Sequence, residues 1–483
     1  MFTKKLLKSS LIYTLVGSLP LASGFILLPL ITNHLNNVDT YGVLALYTNF
    51  SLLMQVLVNF SLDTSIGIHY FDYKDNPEKL NKYIGTVVSS LLLIGAGILL
   101  ISFLFGESIF NVVFSKHTME YWPFGLMCIV TAIFNSFYKT YSNLLINQQR
   151  TNRFFWINIL YFTASIGFTY IGIYQFPKVI DGPLWGRLLP SALLFLLTFF
   201  FFAKEFGIKL HKEFIPDMVK FCLPLVYYAI IMWGASYGDR FIINYLLTPF
   251  DVGIYDFGMK WVMLIDVVLL ALTNTINPAI FRIWADNKIN YSTPEVNQNH
   301  HFFTLIQLVL IAGVLLFIPL IVPYFVHNPM YYRSFNYLPI LGLGFLFRGV
   351  SNMYLMPIFY YKKTKVLPKV FLISSLCQFV LTFILIHYFG IVGAAISFVV
   401  AKPIQIWMIA IESKKVFTFD YNKTKMIFLP LLYGFFIITI YYVIGDFIAL
   451  WVKNILQFVL CMLMIILLYR KEIKEKLVAK KRN

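Results

Sequence analysis

The sequence predicts an all-α polytopic membrane protein of about fourteen transmembrane helices, with a parallel pseudo-repeat at an offset of six. Three observations carry this. The chain of 483 residues is 59% hydrophobic, carries only 13% charged residues and has a mean hydropathy of +0.74, which leaves too little polar residue to cover a soluble globule. Apolar runs of about 20 residues recur without strand alternation, so the spans are helices. Lys and Arg collect in alternate connections, as the positive-inside rule requires.

Taken in order, the apolar runs place spans at 11–32, 42–63, 83–105, 119–146, 154–175, 183–203, 219–246, 252–280, 302–326, 336–359, 368–389, 391–412, 426–445 and 448–469. The first follows Lys4, Lys5 and Lys8 and is read as an uncleaved span, because apolar runs continue behind it. If the N-terminus and every second connection share one side, that side holds 29 of the 39 Lys and Arg, and the other side holds only Lys116, Lys178, Arg333 and Lys453. Both termini are therefore expected in the cytoplasm. The net charge of +17 is accounted for in this way, without a nucleic-acid partner.

The division follows: 1–203 as an N-terminal lobe, 204–218 as a basic amphipathic linker lying on the inner leaflet, 219–413 as a C-terminal lobe, 414–469 as two further helices and 470–483 as a basic tail. Span 7 repeats features of span 1. Leu19-Pro20-Leu21 is matched by Leu223-Pro224-Leu225, and Asn33 through Asp39 to Tyr41-Gly42 by Asn244 through Asp251 to Gly253 and Tyr255. Spans 6 and 12 each set a cation before a proline, Arg187 with Pro190 and Lys402 with Pro403. An offset of six spans keeps the halves in the same orientation. Span 7 is long enough to tilt or bend about Pro224, and Gly234, Ala235, Ser236 and Gly238 give it a small-residue surface suited to a rocking gate or to close helix packing.

Six cations lie within spans: Lys139, Arg187, Arg240, Lys260, Arg348 and Lys402. Each costs at least ~2.5 kcal/mol at a helix centre, so such residues normally face protein interior or water. Acids at that depth are fewer, chiefly Asp239, Asp256 and Asp266. Asp256 and Lys260, four apart, can form an internal pair, and Asp239 can neutralise Arg240 or Arg348. The remaining positive charge suits water or an anionic guest.

Enzyme signatures are missing. There is no GxSxG elbow, HExxH or phosphate loop, and His300-His301 reads as a solvated loop without metal-ligand spacing. Cys128, Cys222, Cys377 and Cys461 are isolated in apolar runs and suggest neither a metal nor disulfides. No cofactor is implied.

Three segments carry a family resemblance. GSLPLASGFILLPLITNHLNNVDTYGVLALYTNF resembles the opening of the polysaccharide flippases. GDRFIINYLLTPFDVGIYDFGMKW is similar to their Asp-Arg, apolar run, Gly-x-Tyr signature, and RGVSNMYLMPIFYYKKTKVLPKV followed by HYFGIVGAAISFVVAKPIQ to their basic loop and Phe-Gly-x-x-Gly-Ala-Ala region. The resemblance implies the polysaccharide transport branch of the multidrug/oligosaccharidyl-lipid/polysaccharide exporter superfamily: a non-enzymatic flippase for an undecaprenyl-pyrophosphate-linked oligosaccharide, serving O-antigen or capsule synthesis beside other assembly proteins. It also implies a cationic cavity, which by position falls to Arg187, Arg240, Lys260, Arg348 and Lys402, with Asp239 and Asp256 as charge partners or ion-coupling groups. A cation-coupled drug exporter and a membrane glycan polymerase are the alternative readings. The cationic interior disfavours the first, and the short external links disfavour the second.

Overall fold

The computed structural model describes residue 13 and residues 16–35, 37–114 and 118–470. The start of the first expected span and most of the basic tail lie outside the described residues. The helices are α1 Leu19–His34, α2 Val38–Asn59, α3 Leu62–Tyr73, α4 Pro77–Val113, α5 Leu126–Asn147, α6 Thr151–Gln175, α7 Asp181–Phe206, α8 Ile215–Leu246, α9 Pro249–Asn287, α10 Pro294–Phe325, α11 Leu338–Leu343, α12 Arg348–Tyr360, α13 Leu367–Phe389, α14 Ile391–Lys414, α15 Leu429–Ile438 and α16 Leu450–Leu468. Twelve helical stretches of the described residues are long and apolar enough to cross a membrane. The two other expected spans are helical as well. α1 has only 16 described residues, and Asn135, Ser136, Lys139 and Thr140 lower the apolar character of α5.

Local chemistry sets the helix starts. The Asn37 side chain accepts the Thr40 N–H at 2.8 Å to begin α2. Asn76 does the same for Lys79 ahead of Pro77 in α4, and Thr293 for Val296 ahead of Pro294 in α10. Phe60 and Ser61, both at positive φ, end α2 and redirect the chain into α3. α4 has 37 residues, about 55 Å at 1.5 Å per residue, against a hydrocarbon core of about 30 Å. Its residues Leu100, Phe103 and Leu104 are each more than 60% exposed. Such a surface is at home in lipid and a liability in water.

The chain divides by contact into two compact units, residues 1–253 and 254–483. In the first, α3 to α8 share one apolar core that includes Leu62, Ile84, Phe137, Phe154, Phe202, Met218 and Cys222. α8 packs on α2 and α3, so the contact boundary and the boundary expected from the sequence, 203–219, fall on opposite sides of this helix. The basic linker is largely helical: α7 runs to Phe206, Gly207 turns the chain at φ +75°, and His211 N–H reaches Thr86 Oγ1 at 3.1 Å.

In the second unit α13 packs along α14, and α10 along α16, where Gln457 donates to the Ala312 carbonyl at 3.1 Å. One expectation is corrected here. His300 and His301 do not sit in a solvated loop: both lie on α10, 3% and 8% exposed, because the helix starts at Pro294 and the connection from α9 is only 288–293. The expected span 336–359 is present as the crossing stretch Leu338–Tyr360, with its helix interrupted between α11 and α12. Gln307 splints the break, accepting the Gly349 N–H at 2.6 Å and donating to the Leu346 carbonyl.

α2 crosses the start of α9 at a glycine from each. A Cβ on Gly42 would lie 1.9 Å from the Pro249 carbonyl oxygen, and one on Gly253 would lie 2.5 Å from that of Val38. Both positions follow a helix start by the same step, five residues after Asn37 and five after Thr248, whose hydroxyl accepts the Asp251 N–H. Gly42→Val is expected to cost at least the ~1 to 3 kcal/mol typical of overpacking and to lower the thermal midpoint of the purified protein. Gly24→Ala, which meets nothing within 4 Å, serves as the control and leaves that midpoint unchanged.

Candidate functional site

Four of the six cations within the spans have a carboxylate. Arg240 Nη1 lies 2.6 Å from Asp239 Oδ1, Lys260 Nζ 3.0 Å from Asp256, Arg348 Nη2 3.0 Å from Asp266, and Lys139 Nζ 3.2 Å from Asp63. Asp63 escapes the sequence reading because it closes the apolar run of span 2. In the structure it stands buried in the first turn of α3, accepting from Asn143 at 3.0 Å as well.

The pairs differ in exposure. Arg240 and Asp239 are sealed, at 1% and 2% of their side-chain surface, and Arg240 also donates to the Ser236 carbonyl. Such a pair is costly to desolvate and costlier to break, so its place is structural rather than at a ligand's disposal. The sequence left open whether Arg240 faces a cavity or is neutralised by Asp239, and the structure shows the pair with its own neighbour in sequence. Lys260 is about one-third exposed over a buried Asp256, while Arg348 and Asp266 are 37% and 44% exposed. Exposed charge within a membrane-spanning stretch belongs against water or a polar guest. Asp256, Lys260 and Asp266 lie on a single helix, α9, and Arg348 reaches it from α12, just after the break that Gln307 holds.

Arg187, on α7 of the first unit, makes no ion pair among the described residues and donates to the Thr48 hydroxyl on α2. Its carbonyl accepts from Ser191 at 2.6 Å, one turn on, beside Pro190. Lys402, on α14, lies over the Phe398 ring with its ammonium 4.7 Å from the centroid. Thus Arg187 belongs to one unit and Lys260, Arg348 and Lys402 to the other, and within the second unit Lys260 lies on α9 while Arg348 of α12 pairs with Asp266 of that helix. No group of three or more His, Cys, Asp or Glu suited to a metal occurs among the described residues.

Comparison with solved structures defines the class. The chain superposes on the lipid II flippase MurJ in an inward closed conformation with a TM-score of 0.67 and 16% identity, covering 90% of this chain and 97% of that one. A multidrug resistance MATE family transporter of the MOP superfamily, inward-facing, gives 0.59 and 14%, over 86% and 94%. This is a membrane protein that shares the fold of those two transporters. Residues 6–284 match the model of the polysaccharide biosynthesis protein family, and the chain belongs to that family. A curated relative, Lsg locus putative protein 1 of Haemophilus influenzae, is 23% identical over 417 residues, 81% of this chain and 95% of its own length.

Asp239→Asn removes the carboxylate 2.6 Å from the buried Arg240 and is expected to destabilise by about 3 to 5 kcal/mol, seen as loss of folded protein on heating in detergent. The double variant Asp239→Asn, Arg240→Gln recovers most of that loss, a coupling that a double-mutant cycle measures.

Proposed function

We propose that the protein is a flippase carrying a polyprenyl-pyrophosphate-linked oligosaccharide repeat unit from the cytoplasmic to the outer leaflet of a bacterial cytoplasmic membrane, for cell-surface polysaccharide. Membership of the polysaccharide biosynthesis family supports the pathway. Likeness in fold to a lipid II flippase supports a lipid-linked substrate. The observation that carries the reading is the graded neutralisation of the cations within the spans: one pair sealed, three open, and Arg187 on a hydroxyl. Arg187, Lys260 and Arg348 can exchange their present partners for pyrophosphate oxygens, Arg187 and Arg348 with bidentate geometry. Lys402, the counterpart of Arg187 before a proline, is a fourth candidate for the same role. Arg240 and Asp239 hold the scaffold.

Transport proceeds by alternating access, with sugar and pyrophosphate in the polar interior and the polyprenyl chain in lipid. A membrane potential negative inside favours outward movement of an anion by ~2.3 kcal/mol per charge per 100 mV, enough to drive the step without nucleotide hydrolysis. Other polysaccharide-assembly proteins are the expected partners.

Deleting the gene is expected to abolish the surface glycan and to accumulate its lipid-linked repeat unit on the cytoplasmic face. Complementation with Arg187→Gln or Arg348→Gln restores little glycan while the protein inserts at normal levels. Arg187→Lys and Arg348→Lys keep the charge and restore part of it. Normal glycan with both Gln variants removes the proposed binding role, and drug sensitivity without a glycan defect in the deletion strain points to the exporter reading instead.

A further inference from the structure

In the first unit α5 sets a row of polar residues four apart: Asn135, Lys139, Asn143 and Asn147. Residues at that spacing share a helix face, and at 1.5 Å per residue the row is about 18 Å long. The flanks of α5 on either side of it are occupied. α6 takes one, with Tyr138 donating to Asn158 at 2.6 Å and Asn158 to Ser142. α2 takes the other, where Ser136 donates to the Gln55 carbonyl and Asn59 to Thr140 at 3.2 Å. The row between them is open: the Lys139 side chain is 52% exposed beside Asp63, and the three asparagines are half-buried. Polar groups exposed within a membrane-spanning stretch stand against water or a polar guest rather than lipid.

Each asparagine side chain is held by one hydrogen bond and keeps a second polar atom in reserve. Asn143 donates to Asp63 at 3.0 Å, Asn147 to the Asn143 carbonyl at 2.8 Å, and Asn135 accepts from the Tyr161 hydroxyl at 3.2 Å. Those partners fix which end of each amide is spent. Asn143 Oδ1 and Asn147 Oδ1 remain as acceptors and Asn135 Nδ2 as a donor, unbonded among the described residues and not sealed from the surface. Tyr161 links the row to a cation already discussed, because it lies within electrostatic reach of Arg187. Lys139 and Asp63 offset each other, so the row adds hydrogen-bonding capacity without adding net charge.

We infer that this row binds the sugar hydroxyls of the translocated glycan, with the pyrophosphate at Arg187 and the sugars laid along α5 toward Asn147. The inference rests on the transport reading and adds to it the residues that contact the glycan. A hydroxyl both donates and accepts, so it answers an amide oxygen and an ammonium set one helical turn apart. A bare anion gains less there, since Lys139 already has its carboxylate and the neighbouring amide oxygens repel negative charge. A polyprenyl chain offers these atoms no partner and leaves them unsatisfied.

Cysteine labelling in native membranes opened to both sides tests it, with a charged methanethiosulfonate and with Cys377, the one native cysteine that is not buried, replaced by Ala throughout. Asn135→Cys, Asn143→Cys and Asn147→Cys are expected to label, whereas Leu196→Cys, on an exposed apolar face of α7, does not. Membranes from cells that accumulate the lipid-linked repeat unit are then compared with membranes from cells lacking the glycosyltransferase that starts it, and bound sugar slows labelling of the row in the first. In complementation, Asn135→Leu and Asn147→Leu each lose one neutral hydrogen bond to the guest and lower the rate at which surface glycan appears by about two- to tenfold at normal insertion, and Asn147→Gln recovers part of that loss. No labelling along the row, or equal labelling in both membranes because the row holds water alone, overturns the inference and leaves the transport reading standing. Surface glycan intact in the deletion strain overturns the transport reading, and this inference with it.

Discussion

A charge inside an apolar slab has to be answered within hydrogen-bond reach, and this requirement organises both units. Two of the four answers are local to one helix: Asp239 with Arg240, and Asp256 with Lys260 one turn apart. The other two need tertiary structure, Asp63 on α3 with Lys139 on α5 and Asp266 on α9 with Arg348 on α12. Those pairs act as ties between helices in a solvent where apolar packing alone gives little reason for helices to associate. The difference in exposure then separates scaffold from site. A pair sealed from water has no exchange partner, whereas a half-exposed pair can trade a carboxylate for another anion at small cost, because water already screens part of the attraction.

The backbone meets an equally strict rule where α2 crosses α9. The two glycines occupy corresponding places in the two sequence repeats, each five residues past a capped start, and the contact is backbone against backbone. An internal repeat thus touches itself through its own pseudo-equivalent position. Only a residue without a Cβ permits that approach, since any side chain there would occupy the space of a carbonyl oxygen. The crossing lies at the start of α2, and the Asn76 cap that begins α4 follows the far end of the α2–α3 stretch.

These two rules also frame the functional reading. On the proposed reading the transported group is an anion, which must be attracted without being trapped. Complete neutralisation gives no reason for an anion to enter, and naked cations would neither fold cheaply nor release their guest. Within each unit the neutralisation is partial: Arg187 in the first donates to a hydroxyl, and Lys260 and Arg348 in the second are partly exposed beside carboxylates.

The sequence by itself determined the all-helical membrane class, the places of the spans and the family, because burial in lipid is a sum over consecutive residues that a window along the chain measures directly. The same additivity found the intramembrane cations and proposed the Asp256–Lys260 pair, which one helical turn is enough to specify. What only the tertiary structure decided is which carboxylate each remaining cation meets. Asp63 looked like the polar end of a span until α3 turned it against Lys139. His300 and His301 looked solvated until α10 began six residues earlier and buried them. Arg348 took its position from a break that Gln307, 41 residues away in sequence, holds open. Each of these rests on groups about 3 Å apart in space and far apart in the chain, and hydropathy, which counts the cost of burial residue by residue, carries no information about distance.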